Sequence, residues 1–265
     1  MNMPLPLTAM MAPRADPYVL EARGLTVAYD AAVRVRNVTA AFARNGVTAV
    51  LGPSGCGKST LLRALNRTLE LIPGARVESG RVLLDHLEIY GSSISPSWVR
   101  TRVGLLQQKP APFPMSIAEN VLFGAQFHGY VRERAADVRH YLELVGLYEE
   151  VHERLGASAY TLSGGQQQRL CLARTLAVQP SVVLMDEPCS ALDPRATAVI
   201  ERLIRDLARD YTIVVVTHNI AQAKRIADHC IFMLDGEVLA SGTKEEVLID
   251  PRHRTVRDFV TGRIG

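Results

Sequence analysis

Gly52-Pro53-Ser54-Gly55-Cys56-Gly57-Lys58-Ser59, followed by Thr60, is the stretch on which the reading of this chain turns. It fits the pattern G-x-x-x-x-G-K-[ST] without a gap. The run before it, Val47-Thr48-Ala49-Val50-Leu51, is short, apolar and rich in β-branched residues, which predicts a buried strand. After it, Leu61, Leu62, Leu65 and Leu69 recur at helical spacing. A strand, a glycine loop and a helix in this order form a cradle for phosphate groups. The glycines let the main chain curl so that successive N–H groups face an anion, and the helix N-terminus adds a partial positive charge. Lys58 is then expected to reach the β and γ phosphates of a nucleotide, and Ser59 to ligate Mg²⁺.

Outward from the loop, the chain reads as three stretches. From Tyr18 to about Asp85, β-rich runs surround one helix. From about Ile89 to Tyr160 the pattern is largely helical: Ser116-Ile117-Ala118-Glu119 is a capping box, and Ala135, Val138, Leu142 and Val145 form a stripe ending at Gly146. From Leu162 onward, helices and strands alternate. Gln167 to Val178 reads as a helix, Val182 to Met185 as a buried strand, and Asp193 as the cap of a helix with Pro194 at its first position. Val199, Ile200, Leu203, Ile204 and Leu207 make that helix's apolar face. Thr212 to Thr217 is a further buried strand, and Asp235-Gly236 marks a hairpin turn. The alternation predicts an α/β fold, a mainly parallel sheet covered by helices. The first and last stretches are expected to build one core, with the helical middle inserted as a side lobe.

Composition narrows the function classes. The 265 residues allow one large domain or two packed lobes, and 48% apolar with 22% charged residues is an ordinary globular balance. A net charge of +3 is too small to argue for nucleic acid. Cys56, Cys171, Cys189 and Cys230 form no CxxC pair, so neither a zinc site nor a disulfide framework is implied. Residues 1–17 contain four prolines and no basic residue before Arg14, which reads as a flexible extension rather than a signal peptide. No charge-free apolar run approaches the roughly 18 residues that span a bilayer. Work at a membrane would be done from its surface, through a partner.

The acidic pair Asp186-Glu187 ends the Val182 to Met185 strand, and open α/β sheets bind ligands beyond the carboxyl ends of their strands. Asp186 is placed to hold Mg²⁺, and Glu187 to polarise an attacking water. The alternative is a solvated pair at a strand end. His218 ends the neighbouring strand, where it is either structural or within reach of a γ-phosphate. Leu162-Ser163-Gly164-Gly165-Gln166 is a second glycine-bearing helix entrance. It is either a loop with a good N-cap or a phosphate contact for another copy's nucleotide. Cys56 lies near a helix N-terminus and Lys58, both of which lower a thiol pKa; the choice there is between a reactive thiol and inert packing.

Together these pieces resemble the nucleotide-binding subunit of an ABC transporter, over about Tyr18 to Val260. The ordered set is the phosphate loop, Gln108 in the Q-loop position, the signature Leu162 to Gln166, the acidic strand Val182 to Glu187, Ser190 to Asp193 in the D-loop position, and His218. The resemblance implies a P-loop NTPase fold of ABC type: a mainly parallel sheet core, an antiparallel β lobe and an inserted helical lobe at about 89–165, all in a single domain over 18–265. It implies ATP and Mg²⁺ as ligands and two subunits that sandwich two ATP molecules head to tail, so that Ser163, Gly164, Gly165 and Gln166 act on the partner copy's ATP. By the same resemblance, Gln108 senses Mg²⁺ and the attacking water, and Tyr29 stacks on adenine, although Asp30 follows it where glycine is usual.

The stretch Gln108-Lys109-Pro110-Ala111-Pro112-Phe113-Pro114-Met115-Ser116-Ile117 is similar to the Q-loop of phosphate-importing ABC ATPases. The surroundings of Cys56, Gln166 to Cys171 and Asp186 to Pro194 agree with it. The chain departs from that pattern at Ala111, where asparagine is usual, and just before the stretch at Gln107, where phenylalanine is usual; both lie near the expected partner-facing surface. This narrower resemblance implies an ATPase at the cytoplasmic face of a bacterial plasma membrane, working with two membrane permeases and, indirectly, a phosphate-binding protein. Three other readings compete with it: a motor for polar amino acids, a soluble repair or translation ATPase, and a regulator that binds ATP without hydrolysing it. The single cassette with its short insert argues against the second, and an intact Glu187 and His218 against the third.

Overall fold

The computed structural model describes residues 17–263. The chain runs through β1 (Tyr18–Tyr29), β2 (Ala32–Ala43), β3 (Gly46–Leu51), α1 (Lys58–Leu65), β4 (Ala75–Leu84) and β5 (Leu87–Glu88). It continues through α2 (Pro96–Arg102), β6 (Val103–Leu106), α3 (Ile117–Phe127), α4 (Arg134–Leu144), α5 (Tyr148–Val151) and α6 (Gly164–Leu176). The last part is β7 (Val182–Asp186), α7 (Pro194–Leu207), β8 (Thr212–Val216), α8 (Ile220–Ile226), β9 (His229–Leu234), β10 (Glu237–Thr243) and α9 (Arg254–Val260). The extension expected for residues 1–17 lies, except for Pro17, outside the described residues.

Two sheets result. One has the order β10-β9-β3-β8-β7-β6, and the other β2-β1-β4-β5. In the first, β9, β3, β8, β7 and β6 pair in parallel and β10 runs antiparallel at one edge. The second sheet is antiparallel throughout. A parallel sheet must bury both faces, and the strands are apolar on both. Val182 and Leu184 pack with α1 and the antiparallel sheet, whereas Val183 and Met185 pack with α3, α6 and α7. The two-residue period of the strand therefore assigns its side chains to two separate layers.

Local chemistry explains several boundaries. Ser116 and Glu119 form the expected capping box at α3. Helix α4 closes in a Schellman motif: Leu147 N–H donates to Leu142 O (2.8 Å), Gly146 N–H donates to Glu143 O (2.9 Å), and Gly146 takes φ +60°. Asp235 (φ +49°) and Gly236 (φ +86°) form the tight turn between β9 and β10.

Other expectations need correction. The stretch from 89 to 165 is not all inserted, because β6 is an edge strand of the parallel sheet, beside β7. Val-Gly-Leu-Leu is too short to show a period, so it was hidden among helical signals. Helix α1 stops at Leu65 because Arg67 adopts φ +60°; Leu69 is still buried, from a 3₁₀ turn. The helix expected from Gln167 to Val178 is α6, which starts earlier, at Gly164, because Ser163 caps it. Ala135 and Val199 are exposed rather than part of their helices' buried faces.

Leu184 is fully buried on the sheet face that meets α1 and the antiparallel sheet, and its truncation leaves a cavity that the packed neighbours of that layer fill only in part. Leu184→Ala should lower stability by about 2–5 kcal/mol in urea unfolding, against about 1 kcal/mol for Ser116→Ala at the α3 cap. Equal losses in the two variants would contradict this layering.

Candidate functional site

The parallel register brings the candidate groups to one edge. Val50 and Asp186 both pair with Val216, so the loops after β3, β7 and β8 leave the sheet at one level. Those loops carry Gly52 to Ser59, Glu187 and His218 respectively.

The glycine loop is held from below by main chain. A Cβ at Gly52 (φ +148°) would sit 2.1 Å from Met233 O, and one at Gly57 (φ +105°) would sit 2.5 Å from Arg34 O. Any larger residue at either position forces the loop off β9 or β2. Gly236 N–H also donates to Cys56 O (3.1 Å), tying the loop to the β9–β10 turn. Lys58 is only 5% exposed. Its ammonium donates to Gly52 O (2.8 Å) and Pro53 O (2.7 Å), and among the described residues it forms no ion pair. A buried cation held by neutral carbonyls favours an anionic partner over them. The ring of Tyr29 is partly buried at the loop's flank, and its hydroxyl lies 3.3 Å from Thr60 Oγ1. Asp30 takes φ +51°, the backbone conformation a glycine would supply, so the departure at this position leaves the turn intact. Pro53, Ser54 and Gly55 complete the loop between these anchors.

Beside the loop, Ser59 Oγ donates to Asp186 Oδ1 (3.0 Å). Burial pushes the Asp186 carboxyl above its ordinary range, outweighing the Ser59 hydrogen bond that draws it down. Among the described residues, no three His, Cys, Asp or Glu side chains form a metal cage. One carboxylate and one hydroxyl fit a Mg²⁺ ion that takes its remaining oxygens from phosphates and water, which is the usual chemistry of that cation.

Glu187 is the hub of a second cluster. Its carboxylate accepts from Gln108 Nε2 (3.2 Å) and lies 3.1 Å from His218 Nδ1. A carboxylate oxygen accepts, so this contact places a proton on Nδ1. Gln108 Nε2 also donates to Ser190 Oγ (3.2 Å). The amide nitrogen of Gln108 thus faces Glu187, and no hydrogen bond joins this residue to Ser59 or Asp186. Glu187 has φ +46°, a left-handed conformation that costs a non-glycine residue on the order of 1 kcal/mol. Its N–H donates to Val216 O (2.9 Å) and its carbonyl accepts from Ser190 N–H (3.1 Å), which holds the strained turn in place. Nothing in the sequence pattern reveals that strain.

The signature residues stand apart from both clusters. Ser163, Gly164, Gly165 and Gln166 line a hollow of about 210 Å³ with Leu192, Asp193 and Ala196, and no residue of the glycine loop lines it. Ser163 and Gln166 form a capping box, and Gln166 Nε2 donates to Glu150 Oε2 (2.8 Å). Arg169 makes a two-pronged ion pair with Glu150 (2.7 and 3.0 Å), which holds the Glu150 carboxyl below its ordinary range. Exposed Val199 borders the same hollow.

For Cys56, the structure selects packing from the two readings left open. Burial raises its thiol pKa and outweighs the nearby Lys58 ammonium, whose Nζ lies 3.7 Å from Sγ. The thiol is packing beneath the loop. The departures at Ala111 and Gln107 also have a physical account. Arg174 Nη2 donates to Ala111 O (3.0 Å), and Gln168 Nε2 reaches Gln107 O at 3.5 Å. Both positions engage through carbonyls that any residue supplies.

Comparison with known proteins agrees with this geometry. Residues 35–190 match the family described as ABC transporter. The phosphate import ATP-binding protein PstB of Thermotoga maritima is 47% identical over 249 residues, covering 93% of this chain and 99% of that protein. PstB 1 of Synechococcus sp. is 47% identical over 255 residues, covering 93% of this chain and 92% of the relative. Among solved structures, cbiO1 from Clostridium perfringens, part of the ABC transporter complex cbiONQ, superposes with a TM-score of 0.76 at 26% identity over 94% of this chain and all of its own. A bacterial Atm1-family ABC exporter with ATP bound shares the fold, with a TM-score of 0.78 at 23% identity over 96% of this chain and 43% of that one. With the family match spanning more than half of its length and close relatives nearly all of it, the chain belongs to the ABC transporter family, as one of its ATP-binding subunits.

Proposed function

We propose that this chain hydrolyses ATP as the motor of a phosphate importer, acting as a head-to-tail pair of copies beneath membrane permeases. The observation that carries the ATPase reading is the convergence of Lys58, Ser59, Asp186, Glu187 and His218 on the carboxyl edge of one parallel sheet. The separation of the signature hollow from the glycine loop supports the pairing: one copy supplies each half of a site. The cargo rests on the curated relatives, whose names specify phosphate import. No helix among the described residues is long and apolar enough to cross a membrane, which leaves translocation to partner subunits.

The loop's N–H groups and Lys58 grip the phosphate chain, Lys58 exchanging the carbonyls of Gly52 and Pro53 for phosphate oxygens. When bound, Mg²⁺ supplies counter-charge to the β and γ phosphates, and Ser59 and Asp186 are the residues that would hold it. Glu187 takes a proton from, or orients, the water that attacks the γ-phosphorus, while the bond to the ADP oxygen breaks. His218 fixes one oxygen of Glu187 and Gln108 the other, so the base has little freedom to turn. Tyr29 flanks the adenine. Ser163 to Gln166 of a second copy close over the γ-phosphate, through the Gly164 and Gly165 N–H groups that the Ser163–Gln166 capping box leaves unused.

Glu187→Gln should retain ATP binding, cut turnover by about a hundredfold or more, and migrate as a dimer on gel filtration in saturating ATP. A monomer under those conditions contradicts the pairing. Asp186 carries the opposite signature. Its folded-state pKa lies above the unfolded value, so its stabilising contribution is complete at low pH and is lost as pH rises through the carboxylate range. Asp186→Asn should therefore melt at or above the parent temperature at neutral pH without ligands, while hydrolysis falls on the order of a hundredfold or more. A lower melting temperature would reject the burial argument. For the cargo, a strain lacking this chain should lose uptake of labelled phosphate and recover it on complementation; unchanged phosphate uptake with lost uptake of another solute would reassign the importer.

A further inference from the structure

Glu187 and His218 border a hollow of about 330 Å³, lined also by Cys189, Ser190, Thr217 and Gln222 among others. Gln222, on α8, and Thr217, immediately before His218, are 2% and 3% exposed. Neither belongs to a motif that names it, and among the described residues neither side chain hydrogen-bonds to Glu187 or His218. Thr217 Oγ1 donates to Gln222 Oε1 (2.8 Å) and accepts from Asn219 N–H (3.0 Å). One hydroxyl thereby pins the residues on both sides of His218. Gln222 N–H in turn donates to Asn219 Oδ1 (2.9 Å), which caps α8. The carboxamide nitrogen of Gln222 is buried without a hydrogen-bond partner among the described residues, and Cys189, two residues beyond Glu187, lines the same hollow. Helix α8 is itself anchored to α7, since Arg225 makes a two-pronged ion pair with Glu201 (2.6 and 2.7 Å).

We infer that Thr217 and Gln222 are positioning residues of the hydrolytic centre, fixing the loop that holds His218 against Glu187. A buried hydrogen bond is costly to leave half-made, so this pair resists the small rotations that would part His218 from Glu187. Glu187 sits in a strained left-handed turn, and such a turn persists only where its surroundings over-determine it. The Thr217–Gln222 bond is part of that determination, and it acts on the base through its neighbours.

The inference rests on the proposed hydrolysis at Glu187, and the test separates the two. Thr217→Val, Thr217→Ser, Gln222→Leu and the Thr217→Val/Gln222→Leu double variant of the full chain are compared in ATP hydrolysis with magnesium and in thermal melting, beside Glu187→Gln. The Val and Leu variants should each lose about tenfold to a hundredfold in kcat, with KM for ATP within about twofold of the parent. Thr217→Ser keeps the hydroxyl and should keep the parental kcat. The double variant strands fewer buried polar atoms, so its melting temperature should recover from those of the single variants while its kcat stays low. Recovery of kcat together with stability would reduce the pair to a structural role and overturn the inference. So would parental kcat in Thr217→Val, which preserves side-chain shape and decides the matter alone if Gln222→Leu does not fold. If Glu187→Gln itself retains parental turnover, the hydrolytic reading fails first; if it is inactive while Thr217→Val and Gln222→Leu are not, only this inference fails.

Discussion

Parallel pairing of β3, β8 and β7 is the constraint on which the site depends. Hydrogen bonding in register sets Val50, Val216 and Asp186 side by side, and each strand must then release its chain at the same edge. The ladder continues one step past the strands: Glu187 N–H donates to Val216 O, and Thr217 N–H donates to Val50 O. The glycine loop, Glu187 and His218 are thus mounted on one rim. A shift of register in β8 would carry Thr217 and His218 away from Glu187 and turn the strand's side chains to the wrong layers.

Electrostatics around this rim are unfinished in a way that suits an anionic ligand. Lys58 is a buried ammonium satisfied by neutral carbonyls, and Asp186 is a carboxyl whose burial opposes its charge. Each is less favourable alone than with a phosphate chain and a divalent cation between them. Binding energy is available because the fold has already accepted these desolvation costs. The signature hollow is finished differently, with Glu150, Gln166 and Arg169 locked together around the α6 entrance. There, only the N–H groups of Gly164 and Gly165 remain to be used, since those of Ser163 and Gln166 close the capping box.

Much of this was legible in the residue order. The strand before the glycine loop, the strand that ends in the acidic pair and the capping box at Ser116 are local patterns, and each element is where it was expected, although the helix after the loop stops at Leu65. Strand β6 was not legible, because four residues carry too little periodicity to be separated from the helices around them. The exposure of Val199 was also missed: the helical stripe on α7 is wider than the surface it covers, and its margin borders the signature hollow. The reactive reading of Cys56 counted the charge beside the thiol, but burial outweighed it.

Residue order supplied the candidate groups, the glycine loop from Gly52 to Thr60, the Asp186-Glu187 pair and His218, and the order in which they occur. Spacing along the chain is enough for that, since each motif is built from neighbours. Only the tertiary structure decided which motifs share a site. It set Gln108 and His218 on the two oxygens of Glu187, left Ser163 to Gln166 in a separate hollow, and buried Thr217 and Gln222 at the hollow that Glu187 borders. Those relations join residues tens of positions apart, and the pairing of parallel strands through long crossovers is what brings them together.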